Sequence, residues 1–391
     1  MKKTALILSL VLVFSVLLPV TVIASDATVY TASSSGELGA MCKAYVLMDR
    51  NTGTVISACN ENEMLYPASV TKIMTLVLVM EAIQEGKLTL DMEITCSQSA
   101  ADKGGSQIWL EAGEVMTVDE LLKATVIYSA NDACCLLAES VAGNEISFVE
   151  LMNKKAAELG MVNTVFDNCT GLDDDTDKHK TTAYDIAIMS CKLLEYELIR
   201  NYTSIWMDTL RNGETQLVNT NKLMRTYPGA TGLKTGTTSK AGCCISASAE
   251  RDGLELVAVV MGADNSKLRF SAAKELLDSG FAGYEILKLD ADGKFSDTLK
   301  VSHGVKRELK LTSSDVIEVL AEKGKADIIS HKVILEEEIE APIEKGSIIG
   351  YVEFYCDDKE IGKIELLADE KIEKMTLSNA ILTLFYALSN K

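Results

Sequence analysis

Apolar positions along this chain follow two rhythms, one of period two and one close to 3.6, and the rhythm switches several times. Residues 44–48 form an apolar run, Asn51-Thr52-Gly53 reads as a turn, and 54–58 is a second run, which together predict a hairpin. Pro67 then opens a helical pattern that reaches about residue 84 and ends at Gly86. Thr117 and Glu120 have the spacing of a capping box at the head of a helix over 118–128. A second helix is predicted over 131–142, stopping at Gly143, and a third is capped by Ser147 with Glu150 and stops at Gly160. Strands are predicted at 243–249 and 254–261, joined through Arg251-Asp252-Gly253, with a helix at about 267–277 behind them. Strands at both ends with helices between them predict an α+β domain over 41–285. Its terminal segments would share one sheet, with the helical block set against it.

From about Leu287 the pattern becomes short β-rich runs at 308–311, 316–320, 332–335, 348–354 and 363–367, separated by Gly, Asp and Lys turns. These predict a small all-β domain over 286–370. Residues 371–391 place Leu377, Ile381, Leu384, Phe385 and Leu388 at helical spacing, an amphipathic helix too short to span a bilayer. It can pack on the β domain or lie on a membrane surface, and the pattern alone does not separate the two.

The other end of the chain changes the picture most. Lys2 and Lys3 precede an apolar run from 5 to 22, and small residues follow at Ala24 and Ser25. That is the layout of an export signal over 1–24. A retained anchor is the competing reading, disfavoured because Pro19 breaks the run just before a cleavage site after Ala24. Residues 25–40, rich in Ser and Gly, read as a flexible lead-in.

A formal net charge of -19 and the lack of a basic stripe argue against a nucleic-acid partner and against broad electrostatic adhesion to anionic lipid. Ten cysteines in an exported chain invite a disulfide framework, but Cys134-Cys135 and Cys243-Cys244 are adjacent pairs inside apolar segments, so most read as buried small hydrophobes. One or two disulfides stay open. Neither CxxC nor HExxH occurs, so no metal site is expected.

The three histidines are His179, His303 and His331. Only His179 falls in the first domain, in a polar loop where a surface residue is the simpler reading, so a hydrolase built on this chain needs another base. Ser69-Val70-Thr71-Lys72 offers one, because residues three apart on a helix share a face and set an amine beside a hydroxyl. Burial or nearby positive charge would lower the lysine pKa and make it a base. Free N–H groups of the first helical turn could hold an oxyanion. Ser271-Ala272-Ala273-Lys274 repeats the spacing but has no companions, and reads as a chance match. Ser69 does have companions: Ser129-Ala130-Asn131 between two predicted helices, then Lys234-Thr235-Gly236-Thr237 just before a predicted strand. S-x-x-K, S-x-N and K-T-G in that order are the signature of penicillin-binding proteins and class A β-lactamases.

On these residues the chain resembles the low-molecular-weight penicillin-binding proteins that act as serine D-alanyl-D-alanine carboxypeptidases. The likeness covers about residues 40–285. It includes 67–75, 129–133, 148–153, Leu159-Gly160-Met161, Thr170-Gly171-Leu172 and 232–238, and the β-rich tail and amphipathic end are similar to the family's C-terminal domain and anchor. The resemblance implies the following roles. Ser69 is the nucleophile and Lys72 its base. Ser129 relays a proton to the leaving amine, and Asn131 holds the substrate amide and Lys72. Lys234, Thr235, Gly236 and Thr237 form the substrate-carboxylate site, which Arg269 helps to orient. The N–H groups of Ser69 and Thr237 make the oxyanion hole. It also implies peptidoglycan stem peptides as substrate, β-lactams as inhibitors, no cofactor, an extracytoplasmic location facing the cell wall, and membrane contact through the last helix.

Three rivals share part of this chemistry. A class A β-lactamase would use a loop glutamate to activate water, and 160–180 contains none. A transpeptidase differs only in its acceptor, and a non-catalytic penicillin sensor would keep Ser69 without turnover. The Asp173-Asp174-Asp175 run is read as a solvated acidic loop in preference to a calcium site.

Overall fold

The computed structural model describes residues 38–381 except 174, 175 and 315. The segment expected to be an export signal, most of the expected lead-in, Asp174 with Asp175 and the last ten positions of the segment expected to be a terminal helix therefore lie outside the described residues. The lead-in ends earlier than its composition suggests, because Leu38 is already buried in a hydrophobic cluster.

The first domain is built on an antiparallel five-stranded sheet. Its strands are β1 (Ala44–Asp49), β2 (Val55–Cys59), β3 (Ala230–Thr238), β4 (Gly242–Arg251) and β5 (Leu254–Ala263), in the order β2-β1-β5-β4-β3. Both faces are covered, which is why β5 reads as a continuous apolar run from Leu256 to Met261. The two-residue period divides that run between two cores. Ala44, Val46, Met48, Val257, Val259 and Met261 face the helical block, while Tyr45, Leu47, Leu256, Ala258 and Val260 face the closing helix.

That helical block contains α1 (Lys72–Gln84), α2 (Val118–Lys123), α3 (Asn131–Ala142), α4 (Glu145–Glu158) and α5 (Ala183–Leu194), and the closing helix is α6 (Ser266–Gly283). α1 is apolar on nearly every side and is accordingly central, buried from Lys72 through Met80. The capping box at α2 is present: Glu120 N–H donates to Thr117 Oγ1 at 3.2 Å and Thr117 N–H to Glu120 Oε2 at 3.0 Å.

Three local expectations are corrected. The helix expected over 118–128 changes to a π-helical turn at Ala124–Tyr128, which ends on Ser129. α4 is capped by Asn144 rather than Ser147, since Ser147 N–H donates to Asn144 Oδ1 at 2.9 Å. Lys234-Thr235-Gly236-Thr237 lies within β3, not before a strand. Polar residues occupy its buried positions for the sake of the site, so the alternation that would have announced a strand is missing.

The C-terminal domain is all β. β6 (Tyr284–Leu289) pairs with β9 (Ile317–Glu322), and Ile286 and Leu320 on this pair pack against the closing-helix core, joining the two domains. β7 (Thr298–Ser302), β8 (Glu308–Ser313), β10 (Ser330–Ile334), β11 (Glu338–Glu340), β12 (Ile348–Cys356) and β13 (Lys359–Ala368) form a sheet in the order β10-β12-β13-β8-β7-β11. At the start of the terminal helix Leu377 is 79% and Ile381 47% exposed, so neither packs on the β domain. Among the described residues no helix is long and apolar enough to cross a membrane. All ten cysteines are free thiols, seven of them buried and three half-buried.

Candidate active site

The three motifs converge where the start of α1, the turn before α3 and the edge strand β3 meet. Ser69 lies in a 3-10 turn, Ala68–Thr71, that leads directly into α1 at Lys72. The turn is wedged between two glycines. A β-carbon on Gly236 of β3 would stand 2.7 Å from the Ser69 backbone nitrogen and 2.9 Å from the Pro67 carbonyl oxygen. On the other side Gly171 has φ +89, and a β-carbon there would fall 1.8 Å from the Ala68 carbonyl oxygen. Both glycines are therefore required by close backbone approach, and Gly171 also by its left-handed conformation.

Lys72 is fully buried. Its Nζ donates to Ser69 Oγ at 3.1 Å, to Asn131 Oδ1 at 2.5 Å and to the Thr170 carbonyl at 3.0 Å. No carboxylate is among these partners. Burial pushes the Lys72 pKa below the ordinary lysine value, and the thiols of Cys134 and Cys169 and the Asp132 carboxylate offset this only in part. On losing a proton the amine would keep its bonds to Asn131 and Thr170 and turn its lone pair to the hydroxyl it touches.

Asn131 opens α3 and ties the site to the 104–110 loop. Its Nδ2 donates to the Gly104 carbonyl at 2.7 Å and its backbone N–H to the Ser106 carbonyl at 2.6 Å. Ser129, at the end of the π-turn, has φ 66 and ψ 27, a left-handed conformation that serine rarely adopts, and is 5% exposed. Among the described residues no hydrogen bond joins it directly to Ser69, Lys72 or Lys234.

Lys234 is buried on β3 and donates to the Thr235 carbonyl at 3.0 Å. Its pKa lies well below the usual range, first through burial and then through the positive charges of Lys72 and Arg269, with Cys134 opposing. Thr235 donates to Thr220 Oγ1 at 2.8 Å. Arg269, reaching in from α6, uses one Nη1 for the Gly236 carbonyl at 3.1 Å, Thr237 Oγ1 at 3.1 Å and the Cys244 carbonyl at 3.2 Å. It thereby braces the K-T-G end of β3 against β4. Its Nε is buried with no hydrogen-bond partner among the described residues. The result is a hydroxyl in contact with one buried amine, with two further buried basic side chains, Lys234 and Arg269, on the adjoining strand and closing helix, a set suited to a substrate that ends in a carboxylate.

The second S-x-x-K pair is not part of this site. Ser271 and Lys274 lie on α6, whose buried positions include Ala272 and Ala273. His179 corrects the surface expectation. It is completely buried, its Nδ1 accepts the Asp167 N–H at 3.0 Å, and so its Nε2–H donates to Thr71 Oγ1 at 2.7 Å. Burial lowers its pKa to about 4, so the ring is neutral. Composition alone made this histidine look solvated, because its partner in the nucleophile turn is 108 residues away in sequence. The Thr170 carbonyl escaped notice for a different reason: a backbone acceptor leaves no residue-type signal. Asp173 also departs from a solvated acid, being buried, with Oδ2 accepting from Thr238 Oγ1 at 2.5 Å.

A serine hydroxyl touching a buried lysine amine, with two more buried basic side chains beside it on a sheet flanked by helices, is the arrangement of the penicillin-binding class of serine acyl-transferases. The model of the D-alanyl-D-alanine carboxypeptidase family matches residues 30–265, and that of the penicillin-binding protein 5 C-terminal domain matches 284–374. The chain belongs to this carboxypeptidase family. It is 41% identical over 344 residues to D-alanyl-D-alanine carboxypeptidase DacF of Bacillus subtilis, covering 87% of this chain and 88% of that one. Penicillin binding protein 5 from Haemophilus influenzae superposes with a TM-score of 0.75 at 32% identity, covering 85% of this chain and 98% of the other. Penicillin-binding protein D2 from Listeria monocytogenes, in its cefotaxime-bound form, has a TM-score of 0.57 at 30% identity and covers 62% and 97% of the two chains.

Proposed function

We propose that this chain is a serine D-Ala-D-Ala carboxypeptidase that trims the terminal D-alanine from peptidoglycan pentapeptide stems through a Ser69 acyl-enzyme. The observation that carries the reading is the 3.1 Å contact between Lys72 Nζ and Ser69 Oγ in a pocket where burial favours the neutral amine. Lys72 takes the hydroxyl proton as Ser69 attacks the carbonyl between the two D-alanines. The negative charge that develops on the carbonyl oxygen is received by the backbone N–H groups of Ser69 and Thr237, a reading supported by the close approach of Gly236, next to Thr237, to the Ser69 nitrogen. Asn131 holds Lys72 and the substrate amide, and Ser129 passes a proton to the departing D-alanine amine. Lys234, Thr235 and Thr237, braced by Arg269, take the terminal carboxylate. Water then attacks the acyl-enzyme and releases the tetrapeptide. β-Lactams acylate the same serine, as the cefotaxime-bound Listeria relative suggests.

The same reading treats residues 1–24 as an export signal, 25–40 as a lead-in, 41–285 as the peptidase domain and 286–370 as the β domain. It treats 371–391 as a helix lying on the outer membrane surface, a placement supported by the exposure of Leu377 and Ile381. A peptide ending in D-Ala-D-Ala, incubated with the protein, releases free D-alanine, and Ser69→Ala abolishes the release. Covalent penicillin binding without any D-alanine release would leave a sensor or a strict transpeptidase instead.

A further inference from the structure

Trp109 is the most exposed large apolar residue on the elements that carry the site, at 77%. It also has φ +60, a left-handed backbone that a bulky side chain adopts only under constraint. Its neighbours show what imposes it. Ile108 and Leu110 on either side are buried, and both of their N–H groups donate to the buried Asp132 carboxylate, at 3.1 and 3.0 Å. Arg211 holds the Ile108 carbonyl at 2.9 Å. Asp132 is the residue next to Asn131, which contacts Lys72, and Asn131 also binds this loop at Gly104 and Ser106. The indole is thus held out into solvent by the same helix start that holds the base. Backbone strain of this kind persists only where the surroundings enforce it. At an exposed alternating position a polar residue would avoid both the strain and the exposed apolar surface. Gln107, two residues earlier, is half-buried and makes no side-chain hydrogen bond among the described residues.

We propose that Trp109 is a stacking platform for the saccharide that carries the stem peptide, with Gln107 beside it for a sugar hydroxyl or acetamido group. This deepens the carboxypeptidase reading and rests on it. The reach is consistent. Trp109 lies three positions from Ser106, at most roughly 11 Å of chain, and an extended pentapeptide spans about 17 Å. A pyranose presents a flat C–H face that an indole can cover.

The test compares D-alanine release from a sugar-free pentapeptide with release from the same pentapeptide on its N-acetylated disaccharide. Trp109→Ala should lower kcat/KM for the disaccharide substrate on the order of three- to tenfold relative to the sugar-free one, and Trp109→Phe should recover part of the difference. Trp109→Gly, which relieves the backbone strain, should melt no lower than the parent, showing that the loop does not need the indole to fold. A ratio unaltered by Trp109→Ala, or an equal loss on both substrates, overturns the platform. Absence of release from both substrates by the parent protein would instead overturn the carboxypeptidase reading beneath it.

Discussion

A β-carbon at Gly236 would lie 2.7 Å from the backbone nitrogen of Ser69, so the edge strand and the nucleophile turn touch through their backbones with no side chain between them. The nitrogen at that contact is one of the two proposed oxyanion donors. Gly236→Ala must therefore move either β3 or the turn by several tenths of an ångström. Loss of one such donor costs about 10²- to 10³-fold in other acyl-transfer enzymes. The expected outcome is a fall of at least that order in the rate of penicillin acylation. Stability should suffer far less, by about 1–3 kcal/mol of overpacking. Stopped-flow acylation and thermal unfolding on the same sample separate the two effects, and an acylating Gly236→Ala protein would show that the turn tolerates the shift.

Lys72 makes a second prediction through its protonation. It acts as a base only when neutral, and burial pulls its pKa below the ordinary 10.5. Acylation should therefore rise with pH along a limb centred below that value and level off above it. Lys72→Arg keeps a cation in place but cannot release its proton. It should lose roughly 10²- to 10⁴-fold in acylation across the whole pH range, the worth of a positioned general base. A pH profile in Lys72→Arg that parallels the parent's would remove Lys72 from the base role.

Much of this site was legible from residue types in order, and the reason is physical. Ser69, Lys72 and Asn131 meet through particular side chains, and the spacing of S-x-x-K sets two of them together at once. What could not be read was supplied by backbone or by distant chain. The Thr170 carbonyl accepts from Lys72 whatever the side chain at 170, and His179 reaches Thr71 only through the tertiary fold. β3 was missed for the converse reason: Lys234 and Thr235 are buried for chemistry, so the strand that carries the clearest motif has the least strand-like pattern. The sheet's central strand, with no chemistry to perform, was evident from its apolar run.

Lys234 should show a trade between activity and stability. It is buried beside Lys72 and Arg269, and among the described residues its one acceptor is the Thr235 carbonyl. The unfolded chain holds its proton up to the ordinary lysine pKa, while the folded protein gives it up much earlier. Between the folded and unfolded values the unfolded state binds more protons, so stability rises with pH there, and below the folded pKa the full penalty of a buried ammonium applies. Lys234→Met removes that penalty. Its unfolding midpoint at neutral pH should exceed the parent's by roughly 2–4 °C, the shift about 1 kcal/mol produces in a domain of this size. The gap should close as pH approaches 10.5, the ordinary lysine value. Acylation should fall by at least an order of magnitude, because the substrate carboxylate loses its cation.

His179 makes the folded protein sensitive to acid. Its ring is neutral, held between the Asp167 N–H and the Thr71 hydroxyl, with a pKa lowered from 6.5 to about 4. Protonation would place an N–H donor against the Asp167 N–H and charge a buried ring. Because the folded pKa is depressed, the associated stability is present above pH 6.5 and is lost as pH falls from there to about 4. The size at full titration is about 3 kcal/mol. The parent's unfolding midpoint should decline through this window, and His179→Gln, which can bond Thr71 but does not titrate, should flatten the decline. The imidazole nitrogens should still report a neutral Nε2–H ring by NMR at pH 5. A ring that protonates near 6.5 with no change in stability would mean that the buried contact with the nucleophile turn does not hold in solution.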